Sequence, residues 1–153
     1  MRILVDTNII LRLAQPGHSQ RPEIVEAIAS LNSAKHEICV VPQVFFEYWV
    51  VATRPVENNG LGTSVPDVQA SIELLLQDLV LLPDPTNLFS NWLELVSLYD
   101  VKGRTAHDAR LVAAMKCHAI DVMLTFNTSD FARYSSITAI SPADHQSLSK
   151  LTR

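Results

Sequence analysis

The sequence predicts a three-layer α/β/α protein, with a central parallel sheet of about five strands between two layers of helices. Two observations lead to this prediction. Short apolar runs alternate along the chain with longer segments whose apolar residues recur at helical spacing. Strands that alternate with helices in this way pair in parallel, because each helix carries the chain back to the same end of the sheet. The length of 153 residues suits a single domain spanning residues 1–153.

The first half of the chain is predicted to contain two strands and three helices. In order they are the strand Ile3–Val5, the helices Ile9–Ala14 and Arg21–Ala34, the strand Ile38–Val41 and the helix Val44–Thr53. The strands are continuous apolar runs, as expected for a sheet that is covered on both faces. The helices carry apolar residues three or four apart, and a proline follows shortly after the first and the third. The segment ENNGLGTS that comes next is predicted to be a loop.

The second half continues the alternation. The predicted elements are the helix Val65–Asp78, the strand Leu79–Leu82, the helices Leu88–Tyr99 and Ala106–Ala119, the strand Val122–Phe126, a short helical turn at Ser129–Ala132, the strand Ile137–Ile140 and a final helix after Ser141. In the first of these helices we expect Val68, Ile72, Leu75 and Leu76 to face the core. Ligands of such sheets bind beyond the carboxyl ends of the strands, so functional residues are expected there.

The composition excludes several classes of protein. The net charge of −4 argues against a protein that coats nucleic acid by charge alone. No apolar segment approaches the length of a membrane span, and the N-terminus does not resemble a secretory signal, so we expect a cytoplasmic protein. The two cysteines, Cys39 and Cys117, lie far apart in apolar runs and are expected to be free thiols.

Asp6 is the first acid that does not fit its surroundings. It follows the apolar strand Ile3–Val5 directly, and the apolar pattern resumes at Ile9. A simple structural role is the N-cap of the next helix. Thr7 and Asn8 could cap that helix equally well, so the position of an acid at the strand end favours a functional role.

Glu47 lies in the apolar helical segment VFFEYWVVA, where no polar face is left for it. A carboxylate in such a place is costly to bury unless a cation meets it. That cation could be a nearby arginine, Arg12 or Arg54, or it could be a ligand of the protein.

Asp108 lies in the helical segment GRTAHDARLVAAM, and Thr105 is the expected N-cap. An acid in the first turn of a helix is favoured by the helix dipole, which is a sufficient structural explanation. However, Asp108 shares a helical face with Val112 and Met115, so its side chain is predicted to point in the direction of the core.

The fourth polar segment is TFNTSDF, in which Asn127 follows a predicted strand and Asp130 comes three residues later. Each of them could serve only as a turn or cap residue. Together with Asp6, Glu47 and Asp108, they are predicted to converge on one edge of the sheet. Carboxylates crowded there repel one another unless divalent cations hold them, and hard oxygen ligands suit Mg²⁺ or Mn²⁺. Such sites serve phosphoryl transfer.

Four features of the chain, taken in order, resemble those of the PIN-domain ribonucleases, and most of all those of the VapC toxins of toxin–antitoxin pairs. They are VDTNIIL, Glu47 after the second strand, HDARLVAAM and TFNTSDF. The resemblance implies a PIN-like fold and a Mg²⁺-dependent endoribonuclease, with Mn²⁺ able to substitute. It also implies an RNA substrate, a homodimer and a cognate antitoxin.

Carried over by position, the resemblance implies that Asp6, Glu47 and Asp108 are catalytic acids, with Asp6 and Asp108 closest to the ion. Thr7 and Asn8 match the polar residues beside the first acid, and we expect Asn8 to orient it by hydrogen bonding. Thr125 matches the Ser or Thr that ends the fourth strand and is expected to support the site. The fourth acid of the family falls near Asn127, which is an amide here, so either Asn127 or Asp130 takes that place. Arg104 and Arg110 flank Asp108 and are candidate RNA contacts, although surface charge explains Arg110 equally well.

Two other functions are compatible with parts of the sequence. One is a PIN-like module for RNA binding or interaction whose catalytic site has decayed, as the amide of Asn127 suggests. The other is a phosphatase of the haloacid-dehalogenase type, which also begins with a strand that ends in Asp. That mechanism needs a second Asp two residues later, where this chain has Asn8.

Overall fold

A computed structural model describes all 153 residues, and its centre is a five-stranded sheet in which every pairing is parallel. The strands are β1 (Arg2–Val5), β2 (Glu37–Val40), β3 (Val80–Leu81), β4 (Val122–Leu124) and β5 (Thr138–Ile140). They lie side by side in the order β3-β2-β1-β4-β5. Strand β1 is therefore central, and Ile3 pairs with Ile38 of β2 on one side and with Val122 of β4 on the other.

Seven helices cover the sheet. They are α1 (Thr7–Leu13), α2 (Arg21–Ser33), α3 (Pro42–Thr53), α4 (Val65–Leu75), α5 (Leu88–Leu98), α6 (Ala106–Cys117) and α7 (His145–Leu151), and short 3₁₀ turns lie at Val56–Asn58, Gly103–Thr105 and Thr128–Phe131. Helices α1 to α4 connect strands that step in one direction from β1, whereas α5 and α6 carry the chain back to β4. Right-handed crossovers place these two sets on opposite faces. Within the sets, α1 packs against α2 and α3, and α5 packs against α6. The predicted three-layer fold is confirmed.

The core lies between these layers and is centred on β1. Ile3, Leu4 and Val5 are fully buried, as are Val112 and Met115 of α6. Cys39 and Cys117 form no disulfide, in agreement with the prediction. None of the helices combines the length and apolar character needed to cross a bilayer.

The structure corrects several predicted boundaries and one predicted core residue. Helix α1 begins at Thr7, two residues earlier than predicted, because Asp6 and not a later residue occupies the N-cap position. Helix α4 ends at Leu75, three residues early, and Leu76 is 37% exposed, so its predicted place in the core is wrong. The predicted loop ENNGLGTS overlaps a 3₁₀ turn at Val56–Asn58. Strand β4 ends at Leu124, so Thr125 follows the strand.

Candidate active site

The ends of β1 and β4 form the point where the strand order reverses direction. Asp6 follows β1 and Thr125 follows β4, and the two strands are neighbours in the sheet. A cleft of about 940 Å³ opens beside these ends, and its lining includes Glu47, Asp108 and Asp130. Open parallel sheets bind their ligands at this kind of position.

Asp6 is 7% exposed and is held by hydrogen bonds to both carboxylate oxygens. Its Oδ1 accepts from the backbone N–H of Thr7 at 2.7 Å. Its Oδ2 accepts from Asn8 Nδ2 at 2.7 Å and from the Thr125 hydroxyl at 2.6 Å. Burial raises the pKa of Asp6, while the bonds from Thr125 and Thr7 oppose the rise because they stabilise the ionised form. Asp6 thus caps α1 and is also fixed in orientation.

Asn8 connects Asp6 to the end of β4. Besides its bond to Asp6, Nδ2 donates to Thr125 Oγ1 at 2.9 Å, and Oδ1 accepts from the backbone N–H of Phe126 at 3.1 Å. Thr7 and Asn8 are the first two residues of α1 and follow its N-cap Asp6, so neither of them is the N-cap. The Asn8 side chain instead links the ends of β1 and β4, and the Thr7 hydroxyl links α1 to Glu47 at the cleft.

Glu47 is half-buried on α3, and neither Arg12 nor Arg54 is paired with it. Oε2 accepts from the Thr7 hydroxyl at 2.6 Å, and Oε1 accepts from Gln43 Nε2 at 2.8 Å. The arginine pair, one of the two alternatives that the sequence left open, is not formed, and two neutral donors contact the carboxylate instead. Its charge can act on a ligand in the cleft because no protein cation neutralises it.

Asp108 is half-buried near the start of α6, as its position on the face of Val112 predicts. Burial raises its pKa to about 6, and the charges of Asp130, Asp6 and Glu47 add to the rise. No protein group donates a hydrogen bond to its carboxylate. Thr105 is the N-cap residue of α6, as predicted, but its hydroxyl donates to the Lys102 carbonyl and makes no capping hydrogen bond.

Asn127 and Asp130 are both exposed and both line the cleft. The side chain of Asn127 makes no hydrogen bond, although its backbone N–H donates to Thr125 Oγ1 at 3.0 Å. Asp130, in the 3₁₀ turn Thr128–Phe131, raises the pKa values of Asp108 and Asp6 by charge repulsion. Of the two residues, Asp130 is the one that interacts electrostatically with the other acids.

Three arginines line the same cleft, together with His107. Arg104 is exposed and Arg54 is half-buried, and neither forms an ion pair. Arg110 is engaged with other side chains of the protein, because Nη1 donates to Gln43 Oε1 at 2.8 Å and Nη2 pairs with Asp84 at 2.7 Å. The acidic cleft thus has two unpaired guanidinium groups at its border.

Sequence reasoning missed Gln43, Arg54 and His107. Gln43 lies one helical turn before Glu47, so its position on the same face of α3 was a usable signal. The sequence indicates Arg54 only as a possible ion-pair partner of Glu47. His107 precedes Asp108 in an exposed first turn, and no pattern distinguishes it there from a surface residue.

The donor set fits a hard divalent cation. Glu47, Asp108, Asp130 and the buried Asp6 offer carboxylate oxygens, which Mg²⁺ and Mn²⁺ prefer. In addition to burial, the other three carboxylates raise the pKa of Asp108 because their negative charges repel its ionised form, and a bound cation would relieve this repulsion. No three acidic, histidine or cysteine side chains are drawn together into a ready coordination shell. Chemical fit is therefore present without a preformed ligand geometry.

The fold and the cleft define a class of α/β proteins with an acidic cleft at the switch point of a parallel sheet. A comparison with models of known protein families identifies the family within this class. The PIN-domain model matches residues 3–137, and the chain belongs to the PIN-domain family. Among curated proteins, no sequence matches this chain.

Solved structures with the same fold include toxin–antitoxin proteins. VapBC-1 from nontypeable Haemophilus influenzae superimposes with a TM-score of 0.67 at 17% identity, covering 93% of this chain and 98% of that one. VapBC2 from Rickettsia felis, bound to a promoter DNA fragment, gives 0.65 at 17% identity, with 92% and 98% covered. VapC20 from Mycobacterium tuberculosis, described as a toxin that cleaves the sarcin–ricin loop, gives 0.62 at 17%, with 86% and 95% covered. These likenesses concern the fold.

Proposed function

We propose that this protein is a Mg²⁺-dependent endoribonuclease and the toxin of a toxin–antitoxin pair. The observation that carries the proposal is that Glu47, Asp108 and Asp130 line one cleft at the switch point, with the buried Asp6 close enough to interact with their charges. Asp6 follows β1, Glu47 lies on α3, Asp108 on α6, and Asp130 follows β4. Membership of the PIN-domain family supports the same conclusion.

In this proposal Asp6 and Asp108 hold the ion, and Glu47 completes the site with Asp130. Asp130 is preferred to Asn127 as the fourth group because its charge acts on Asp108. Mn²⁺ accepts the same oxygen ligands and would substitute. When bound, the ion would activate water and offset the negative charge that develops on the departing oxygen.

The other side chains of the cleft have supporting tasks. Asn8, Thr7 and Thr125 keep the carboxylates of Asp6 and Glu47 in fixed orientations through their hydrogen bonds. Arg104 and Arg54 carry free guanidinium groups, which are suited to phosphates of the RNA backbone. These two cations reconcile an acidic protein with a polyanionic substrate.

Two partners belong to the proposal, an antitoxin and a second copy of the chain. Structures with this fold include a toxin–antitoxin complex from Klebsiella pneumoniae, which matches at 21% identity and a TM-score of 0.61. An apolar groove of about 610 Å³ between α2 and α4, lined by Val25, Ile28 and Leu74, suits a segment of such a partner. On the outer face of α5, Phe89 and Leu93 are 68% and 49% exposed, which supports a homodimer contact.

A cleavage assay tests the proposed function. Purified chain, free of any partner, is incubated with structured RNA and separately with a phosphatase substrate, in Mg²⁺ or in EDTA. We expect RNA cutting that needs Mg²⁺ and is lost in Asp6→Ala and Asp108→Ala, with no phosphate release. RNA cutting that survives EDTA or either substitution would contradict the proposal.

Other outcomes of the same assay identify the alternatives. RNA binding without cutting would indicate a decayed module, and metal-dependent phosphate release would indicate the phosphatase. Light scattering on the same preparation tests the dimer, and a mass equal to one chain of 17.0 kDa would contradict it.

A further inference from the structure

Gln43 is a buried polar residue whose side-chain groups are all used inside the protein. It lies in the first turn of α3 and is 5% exposed. Its Nε2 donates to Glu47 Oε1 at 2.8 Å and to the backbone carbonyl of His107 at 2.9 Å. Its Oε1 accepts from Arg110 Nη1 at 2.8 Å. One amide thus joins α3, through Glu47, to the residue that precedes Asp108 on α6.

Arg110, Glu47 and the His107 carbonyl together determine which way round this amide lies. An amide side chain can be rotated by half a turn, which exchanges its oxygen and nitrogen. In the rotated state, the nitrogen would face the guanidinium, and the oxygen would face the carboxylate of Glu47 and the carbonyl of His107. The amide nitrogen and the guanidinium, both donors, would then face each other. The amide oxygen would face two other acceptors with no hydrogen between them. Both arrangements leave buried polar groups without partners, which is costly. The guanidinium therefore acts together with the two acceptors to keep the amide in its donating orientation.

Asp84 fixes the guanidinium in turn. Its Oδ2 lies 2.7 Å from Arg110 Nη2, and both side chains are about one-third exposed. Asp84 lies between Pro83 and Pro85, two residues with locked φ angles, just after β3. The Asp84–Arg110 ion pair and the hydrogen bonds of the Gln43 side chain form one chain of contacts that runs from the end of β3 to Glu47.

We propose that Arg110 and Gln43 are positioning residues, which set the separation of the carboxylates of Glu47 and Asp108 before a cation binds. Arg110 acts through Gln43 and does not contact RNA. The proposal rests on the proposed nuclease function, because it assigns a purpose to the spacing of those carboxylates. It replaces the expectation that Arg110 contacts RNA, and leaves that task to Arg54 and Arg104.

The first measurement needs neither metal nor RNA. Hydrogen exchange of the Gln43 side-chain amide, followed by NMR, is compared in the wild type and in Arg110→Met. We expect exchange to be about tenfold faster or more in the variant, because the amide oxygen loses its donor and the amide then turns away from Glu47 and the His107 carbonyl more readily. Lys116→Met is the matched control, because it removes an ion pair with Glu94 from the same helix. Equal exchange in the wild type and Arg110→Met would overturn the proposal.

The second measurement separates positioning from RNA contact. For Arg110→Met and Gln43→Glu, we expect kcat to fall about 10–100-fold and KM for RNA to change by less than about twofold. In Gln43→Glu, the new carboxylate still accepts from Arg110 but cannot donate to Glu47. A rise in KM with unchanged kcat in Arg110→Met would overturn the proposal, because that pattern identifies a substrate contact.

Two further controls keep the outcomes distinct. Arg110→Lys keeps the charge but cannot bond Gln43 and Asp84 together as the planar guanidinium does, so we expect it to lower kcat as well. If Arg110→Met does not fold, the lysine variant decides the matter on the same two measurements. If the wild type cuts no RNA, the proposed function fails, while the exchange experiment still tests the contact chain by itself.

Discussion

Asp6 and Asp108 show how environment gives two identical side chains different properties. Asp6 is more deeply buried, but hydrogen bonds to both of its oxygens favour the ionised form. Asp108 receives no such bond and faces Asp130, so burial and repulsion raise its pKa to about 6. In the fold without metal, the ionised form of Asp108 is therefore disfavoured, and a cation would be its natural partner.

This imbalance predicts that Asp108→Asn stabilises the metal-free protein. A folded-state pKa above the ordinary 3.8 means that Asp108 lowers the free energy of unfolding as pH rises from about 4 to about 6 and beyond. After a discount for solvent screening of a half-exposed group, the penalty above pH 6 is about 1 kcal/mol. Urea unfolding in EDTA should therefore show a gain for Asp108→Asn at pH 7.5 and little difference at pH 4. A variant less stable than the wild type at pH 7.5 would contradict this.

The sequence identified acids more readily than their polar partners. Asp6, Glu47 and Asp108 were visible because a charge on an apolar face violates the expected pattern. Gln43 violates no pattern, since a polar residue in the first turn of a helix is ordinary. The contact of Arg110 with Asp84 joins residues 26 positions apart, which no local pattern shows. Asn127 and Asp130 stayed unresolved in the sequence because both suit a turn.

At the level of elements, the end of α3 is shaped by a close backbone contact at Gly60. Arg54 ends α3, and its carbonyl accepts from the backbone N–H of Gly62 at 2.8 Å. A Cβ atom on Gly60 would lie well inside van der Waals contact of that same carbonyl. The loop can therefore fold back against α3 only with glycine at this position, and Arg54 is carried to the border of the cleft.

We expect Gly60→Ala to lower the free energy of unfolding by about 1–3 kcal/mol, since the backbone of Arg54 cannot move aside easily. Gly17→Ala is the matched control, because no atom lies within 4 Å of an added Cβ there. Its effect should stay within about 0.5 kcal/mol. Thermal or urea unfolding of both variants measures the difference, and equal stabilities would contradict the account of this loop.

Helix and strand positions were largely predictable, while several ends were not. Apolar periodicity placed all seven helices and five strands. The start of α1 was missed because Asp6, Thr7 and Asn8 are all good capping residues, and only the tertiary contacts of Thr7 and Asn8 decide among them. The end of α4 was missed because its apolar pattern continues into Leu76, beyond the helix.

At the scale of the whole molecule, the order β3-β2-β1-β4-β5 brings the candidate site together. Asp6 and Asp130 are 124 positions apart in the chain, yet β1 and β4 are neighbours, so the charge of Asp130 acts on the buried Asp6 and raises its pKa. The alternation of strands and helices predicts a parallel sheet but not which strands are adjacent. The convergence of the acids could be expected from the sequence, while their contacts depend on this order.

Joint binding of a divalent cation by Asp6, Glu47, Asp108 and Asp130 underlies the proposed function. Its most direct test is a titration with Mn²⁺, followed by electron paramagnetic resonance, of the wild type, Asp6→Asn, Asp108→Asn and the control Asp78→Asn, which alters an exposed acid outside the cleft. We predict Mn²⁺ binding by the wild type and the control, and an affinity lowered by about tenfold or more in the other two. No binding by the wild type, or equal affinity in all four proteins, would contradict the account.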